Sequence, residues 1–314
     1  MPQISIRLVT AILLVLLLSS CGAVRHNFSF FAIGDMPYEV PNDYARFERV
    51  IASINGENPA FTVHVGDIKG GSTPCTEEVY KRMYDYYQTF NHPFILTPGD
   101  NDWTDCHREG AGGYDPVDRL EKFRTIFYKN NKSLGQDPID LLTQSTYEGF
   151  EKFVENSIWE REDVLFATFH VVGSNNHYKQ DSTADQSEFE ERDAADLFWL
   201  KESFDQARSR GSRGLVLILH AAMNFSDSDQ SGFRNFTRKL RQEVLRYDNP
   251  ILMIYGDHHR FLISKPLDDN AGRVVPNFTS VMVFGNPDMH AVKITVNRNY
   301  ESLFEIRQHL VNTN

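Results

Sequence analysis

Short apolar runs recur along the chain, and four of them close on the same dipeptide. FFAIGD ends at Asp35, TVHVGD at Asp67, ILTPGD at Asp100 and LMIYGD at Asp257. A fifth run, LVLIL, leads directly into His220. Runs of four to six β-branched, aliphatic and aromatic residues predict buried strands. Between them the apolar positions change to helical spacing. Asn42 is expected to cap a helix whose stripe is Tyr44, Phe47, Val50, Ile51 and Ile54, ending at Gly56. Val79, Met83, Tyr86, Tyr87 and Phe90 repeat the pattern, and Asp115 with Pro116 opens a third helix carrying Leu120, Phe123, Ile126 and Phe127. Strand alternating with helix implies parallel pairing through right-handed crossovers. VLFATFHVV at 164–172 predicts another strand, with a polar loop at 173–177. A long helix over 187–210 follows, with Gly211 as its stop. Residues 130–162 hold no clear period and read as an insertion, partly helical at 147–159. The tail predicts antiparallel-looking strands at 261–264, 279–284 and 291–296. The economical architecture is α/β: a four-layer α-β-β-α sandwich of two mixed sheets, one domain over 28–300, with its site at the carboxyl ends of the strands.

The polar residues at those ends carry the chemistry. Glycine lets the backbone turn sharply where a strand stops, and open α/β sheets bind ligands at strand carboxyl ends. Four carboxylates and one imidazole gathered there repel one another unless protons or cations neutralise them. Hard divalent ions prefer carboxylate oxygen, and imidazole suits Zn, Fe and Mn, so the pattern predicts a metal centre. A single Gly-Asp after a strand is commonly a turn or helix cap; four with His220 are not readily explained that way. His258 and His259 are adjacent, so on extended backbone they face opposite sides. His64, between Val63 and Val65, reads as core.

Three further features change the picture. Arg7 precedes the run LVTAILLVLLL and then Ser19, Ser20 and Cys21, so residues 1–20 read as a secretory signal. Leu18-Ser19-Ser20-Cys21 resembles the lipobox of bacterial lipoproteins. That implies lipidation of Cys21 and a lipid anchor in the bacterial cell envelope, with Gly22 fitting the outer membrane. Cleavage after Ala23 is the alternative and would leave a soluble secreted protein. The net charge is −11, and removing the single Arg of the signal makes it more negative. This argues against broad nucleic-acid binding, which needs Lys and Arg to neutralise phosphates. Cys75 and Cys106 remain as an even pair: an oxidising compartment favours a disulfide between two rim loops, and two free buried thiols are the alternative.

GDMPY at 34–38, VGDIKGG around Asp67, GDND at 99–102, LILHAAMN at His220 and GDHH at 256–259 together resemble the five ordered blocks of the calcineurin-like metallophosphoesterases, which include the purple acid phosphatases. The resemblance covers roughly 28–296. It implies two divalent ions (Mn, Fe, Zn or Mg), the first held by Asp35, Asp67 and His259, the second by Asp67, Asp100, His220 and Asp257. It also implies hydrolysis of a small phosphate mono- or diester by a metal-bound hydroxide. The chain departs from the pattern at Pro37, where relatives carry a His, leaving room for water or Tyr38. It departs again at Asp100 for Asn, Asn101 for the His that assists catalysis, and Asp257 for His; more oxygen ligands favour Mn or Mg. Catalytic assistance then falls to Asn101, Asp102 or His258, with His107 a further proton donor. Lys69, Arg108 and Asn175 are expected to hold phosphate oxygens, and Trp103 to wall the pocket. The other reading is a degenerate, non-catalytic envelope protein that binds metal or a phosphorylated ligand on the same fold.

Overall fold

The computed structural model describes residues 26–181, 183–225, 231–297 and 302–312. The expected signal at 1–20 and Cys21 lie outside the described residues. Among the described residues no helix is long and apolar enough to cross a membrane. The chain begins β1 (Phe28–Ile33), α1 (Asn42–Gly56), β2 (Thr62–His64), α2 (Glu77–Tyr87), β3 (Phe94–Leu96) and α3 (Pro116–Phe127). It continues through β4 (Leu142–Thr143), β5 (Ser157–Arg161), β6 (Val164–Thr168), α4 (Ser187–Arg210), β7 (Gly214–Ile218), α5 (Arg234–Val244) and β8 (Ile251–Tyr255). The closing strands are β9 (Leu262–Ser264), β10 (Phe278–Met282), β11 (Ala291–Val296) and β12 (Phe304–His309).

These strands form two mixed sheets, β12-β11-β1-β2-β3 and β4-β5-β6-β7-β8-β10-β9. Within the first, β1, β2 and β3 run parallel; within the second, β6, β7, β8 and β10 do. The period-2 alternation of strands decides the layers. Phe30, Ala32, Val63, Val216, Ile218, Leu252 and Ile254 point between the sheets. Phe31 and Ile33 point the other way, onto Phe47, Val50, Tyr80, Met83 and Phe123 of α1, α2 and α3. Leu215, Leu217 and Met253 meet Trp199, Leu200, Phe204, Phe236 and Leu240 of α4 and α5. The result is helices, sheet, sheet, helices. Strands buried on both faces explain why they read as unbroken apolar runs rather than alternating ones. Between the sheets, Phe30 stacks on Phe61 at 4.8 Å and Phe61 meets Phe166 edge-on at 5.0 Å. Each such buried ring contributes about 1.5–3 kcal/mol, and together they hold the two sheets in register.

Local signals act as expected at two helix ends. The Asp115 side chain accepts from the Asp118 N–H at 2.9 Å with Pro116 in the first turn, and Gly211 ends α4 in the left-handed conformation. Four expectations fail. Asn42 lies inside α1 and caps nothing. Residues 147–159 contain no α-helix; they are turns leading into β5. Their spaced aromatics instead cover α4, Phe150 stacking on Phe198 at 4.5 Å, so 130–162 supplies an edge of the second sheet. The 279–284 strand pairs parallel with β8 and antiparallel only with β9. The first sheet also extends past residue 300, because β12 pairs with β11.

Helix α4 buries the Asp196 carboxylate without an ion-pair contact among the described residues, Arg192 one turn earlier only partly opposing the effect of burial. Asp196 Oδ1 accepts from Asn156 Nδ2 at 2.8 Å, while Oδ2 is buried without a partner. Burial pushes this carboxyl up to about 7. A raised folded-state pKa stabilises the fold below the ordinary carboxylate range, and that contribution is lost as pH rises through 7. Asp196→Asn stays neutral throughout, and each tenfold difference in proton affinity is worth about 1.4 kcal/mol. Denaturant titrations should therefore show the variant more stable than the parent at pH 8, with the gap closing near pH 4. Parallel pH profiles would contradict this account.

Candidate metal centre

The carboxyl ends of β1, β2 and β3 in one sheet and of β7 and β8 in the other open on the same edge. Asp35, Asp67 and Asp100 come from the first sheet; His220, Asp257 and His259 come from the second. The chain turns back there through left-handed backbone: φ is 53° at Asp35, 59° at Asp67, 76° at Asp257 and 57° at His259. Non-glycine residues adopt this region at a cost of about 1–2 kcal/mol each. Such strain gathers at functional sites, where surrounding structure over-determines it. The glycines before these residues serve space as much as turning. A Cβ on Gly99 would stand 2.2 Å from Asp67 Oδ1, and one on Gly256 would stand 2.3 Å from Asp35 Oδ2. Each Gly thus makes room for the carboxylate of a neighbouring strand.

Two clusters result. Asp35, Asp67 and His220 can bring one ligand atom each within 4.8 Å of one another, and so can Asp100, His220 and Asp257. His220 belongs to both. Its Nδ1–H donates to the Val65 carbonyl at 2.9 Å, which ties the sheets together and aims Nε2 at Asp100 Oδ1, 2.9 Å away, and at Asp67 Oδ1, 3.5 Å away. His259 is oriented in the same manner, Nδ1–H donating to the Asn286 carbonyl at 2.9 Å with Nε2 3.6 Å from Asp35 Oδ1. An imidazole fixed through Nδ1–H presents Nε2 as a ligand. Contrary to the expected grouping, His220 rather than His259 completes the tight cluster with Asp35 and Asp67.

The electrostatics say what is missing. Burial pushes the Asp35 carboxyl up to about 7, opposed by His220 and by the Asp257 N–H, and reinforced by Asp257 and Asp100. Burial also raises Asp67 well above the usual carboxylate range, opposed by His220, with Asp100, Asp102 and Asp35 adding to it. Burial works against a charged His220, yet the Asp67 and Asp100 carboxylates outweigh it and hold the ring proton well above the usual range. Asp100 alone is held low: hydrogen bonds from His220 and Ser174 overcome its burial. Asp35 Oδ2 is buried with no partner at all. These are buried carboxylates holding protons for want of positive charge, with imidazole nitrogens aimed among them. That donor set fits divalent cations of the oxygen-preferring kind.

The remaining expected residues fall in different places. Asn101 is in the centre, its Nδ2 donating to Asp67 Oδ2 at 2.6 Å and to Tyr38 Oη at 3.0 Å. Tyr38, one position past Pro37, donates its own hydroxyl to Asp67 Oδ2 at 2.5 Å and packs edge-on against His259. Asp102 is beneath the centre: its carboxylate accepts the N–H groups of Asp67, Ile68 and Gly99 at 2.7–3.0 Å, which makes it a clamp on two strand-end turns rather than an available acid. Lys69 is also interior, its ammonium buried against the Gly70 carbonyl and the surrounding carboxylates. Trp103 is wholly buried against His170, His177 and Arg192, so it walls no pocket. The Asn175 side chain is spent on the Tyr178 carbonyl within its turn and on the N–H of the distant Gly232. Arg108 does reach the mouth, half-exposed and held by Asp105 at 2.7 Å. His258 is exposed on the rim, and His107 is exposed with Nδ1–H on the Thr104 carbonyl. His64 is core, as expected, with Nδ1 accepting from Gly66 N–H. Cys75 and Cys106 are joined in a disulfide that ties the loop after Asp67 to the loop after Asp100. Two contributors, Ser174 and Asp105, were not singled out from the sequence. The signal for Ser174 was there, since the 173–177 loop follows a strand ending on the same edge.

No protein-family model matches the sequence, and no curated protein is found as a relative. Solved structures do match. GAP50, the anchor in the inner membrane complex of Plasmodium, aligns over 91% of this chain and 89% of its own at 10% identity, with a TM-score of 0.50. A purple acid phosphatase from yellow lupin seeds aligns over 90% of this chain and 52% of its own at 15% identity, also with a TM-score of 0.50. A dimetal phosphatase from Danio rerio aligns over 91% and 99% at 10% identity, with a TM-score of 0.46. Identities this low speak for the fold alone. Two mixed sheets face to face, helices outside and an Asp/His cluster at the joined strand ends give this chain the calcineurin-like metallophosphoesterase fold.

Proposed function

We propose that the protein is a metal-dependent phosphoesterase acting on a small phosphate mono- or diester. The single observation carrying this reading is the pair of ligand clusters sharing His220, built from five strand ends of two sheets. Divalent ions bound there would supply Lewis acidity toward a phosphoryl oxygen and an activated water at neutral pH. The residues would do the rest. Asp67 would be a ligand of the first cluster beside Asp35, its Oδ1 3.5 Å from His220 Nε2. His220 and His259, each fixed through Nδ1, would present Nε2 to a cation. Asn101 and the Tyr38 hydroxyl are hydrogen-bond donors at the edge of the centre, both engaged with Asp67 Oδ2, and would serve a phosphoryl oxygen only on releasing it. The half-exposed Arg108 guanidinium could give two parallel N–H bonds to two oxygens of a phosphate at the mouth.

One observation favours a second reading, a protein of this fold that binds without turnover. Asp67 Oδ2 already receives both Tyr38 Oη and Asn101 Nδ2, and Oδ1 receives the Asn101 N–H, so both oxygens of this ligand are already engaged. Pro37→His and Asn101→His, made separately, discriminate: activity that appears only in these variants supports the binding protein, and turnover by the parent with Mn2+ supports the enzyme. The leader and Cys21 carry the further proposal that the domain is displayed on the cell envelope through a lipid. Cys21→Ser should then move the protein from the membrane to the soluble fraction of fractionated cells.

Metal binding to the native state alone stabilises it by about 2.7 kcal/mol when the free ion is at a hundred times its dissociation constant. Mn2+ should accordingly raise the thermal midpoint of the metal-free protein. Asp67→Asn should lose that response together with hydrolysis of a phosphodiester panel, and undiminished turnover would sink the mechanism. Gly256→Ala drives a methyl onto Asp35 Oδ2; calorimetry should show weaker Mn2+ binding, on the order of tenfold or more, while far-UV dichroism stays that of the parent.

A further inference from the structure

The segment after β6 is the most strained backbone among the described residues. Ser174, Asn175, Asn176 and His177 have φ of 47°, 57°, 54° and 58°, four consecutive non-glycine residues in the left-handed region. L-residues do not take up such a turn unless something compels it. The compulsion has an address. Gly173 lies flat on Asp100, where a Cβ would come within 2.8–2.9 Å of all three carboxylate atoms. The next residue then places its hydroxyl on the centre: Ser174 Oγ is 2.7 Å from Asp100 Oδ2 and 2.9 Å from Asp105 Oδ1.

The turn is clamped from two sides. Arg192 of α4, wholly buried, donates to Asn176 Oδ1 at 2.6 Å, to the Asn176 carbonyl at 2.9 Å and to the His170 carbonyl at 3.0 Å. It also grips Glu188 at 2.6 Å, which binds His177 Nδ1 at 2.8 Å. From the other side, Gly232 N–H donates to Asn175 Oδ1 and the Gly232 carbonyl receives Asn176 Nδ2. Trp103 lies against the Arg192 guanidinium. An ordinary polar loop needs no such support. This one bears on the Asp100 carboxylate, with Asp105 beside it.

We propose that Ser174 is a positioning residue for Asp100: its hydroxyl engages Oδ2 and so presents Oδ1 alone toward His220 and the cation site. A free carboxylate offers two equivalent oxygens and rotates between them; with one engaged by Ser174, the other is fixed 2.9 Å from His220 Nε2. Ser174 touches neither substrate nor ion and acts through Asp100. The inference rests on reading the cluster as a metal centre.

Ser174→Gly separates this role from a merely structural one. Glycine accepts positive φ without strain, so the variant should fold with a thermal midpoint at or above that of the parent. Lacking the hydroxyl, it should nevertheless bind Mn2+ about tenfold more weakly by calorimetry. Ser174→Ala keeps the strain, loses the same hydroxyl and should show the same weakening. In an Asp100→Asn background, where the amide has a single oxygen to present, Ser174→Gly should cost little further affinity. Mn2+ affinity of Ser174→Gly within twofold of the parent would overturn the inference and leave the metal centre standing. A parent protein that binds no divalent ion would overturn the metal centre itself.

Discussion

Uncompensated negative charge, sealed between two sheets, is the constraint on which the rest of this structure turns. Asp35 and Asp67 are driven toward protonation by burial and by neighbouring carboxylates, and the carboxylates around His220 hold its ring proton. A hydrophobic core would not place acids there, because each buried charge costs far more than a methyl group returns. The fold nevertheless brings them together from five strands and fixes them with backbone in a costly conformation. The stacked rings between the sheets supply the cohesion that tolerates this arrangement. A cation bound there would relieve it.

The supporting contacts share one logic: each side chain of the centre is steered by a hydrogen bond on the side away from it. His220 is aimed by the Val65 carbonyl, His259 by the Asn286 carbonyl, and Asp257 Oδ2 receives the Ala222 N–H. Asp102 gathers three backbone N–H groups beneath Asp67 and Gly99, and the Cys75 and Cys106 disulfide ties the same two loops from outside. Such partners set the orientation and basicity of ligands. They also explain why several polar residues of the GDND and GDIKGG segments are interior supports and not substrate contacts.

Much of the fold was legible because its signals are local. A buried strand shows itself as an apolar run, Asp115 with Pro116 announces a helix start, and Gly211 announces a stop. Elements whose character depends on a distant partner were not legible. Strand β5 carries exposed Glu160 and Arg161 and is a strand only because β6 lies beside it. Strand β10 looks like the next member of a meander, yet it pairs parallel with β8 across a long connection. The aromatics of 147–159 have helical spacing because they pack on α4, not because they are helical. Exposure was equally hidden: Trp103 and Lys69 flank the Asp residues in sequence, but burial is decided by Arg192, His170 and the carboxylates that close over them.

The amino-acid sequence alone determined that four Gly-Asp turns and His220 terminate buried strands, since strand burial and the turn at its end are properties of a few neighbouring residues. It could not say which carboxylates would face one another. That was decided by strand pairing in the first sheet, which sets Gly99 against Asp67, and by the packing of the two sheets, which sets Gly256 against Asp35, gives His220 to both clusters, and lowers Ser174 onto Asp100. These distances depend on the approach of strands far apart in the chain, set by the rings between the sheets and by the absence of a Cβ where carboxylates must pass. Glycine thus has two jobs here: the turn can be read from its neighbours, and the space it leaves is visible only in the folded protein.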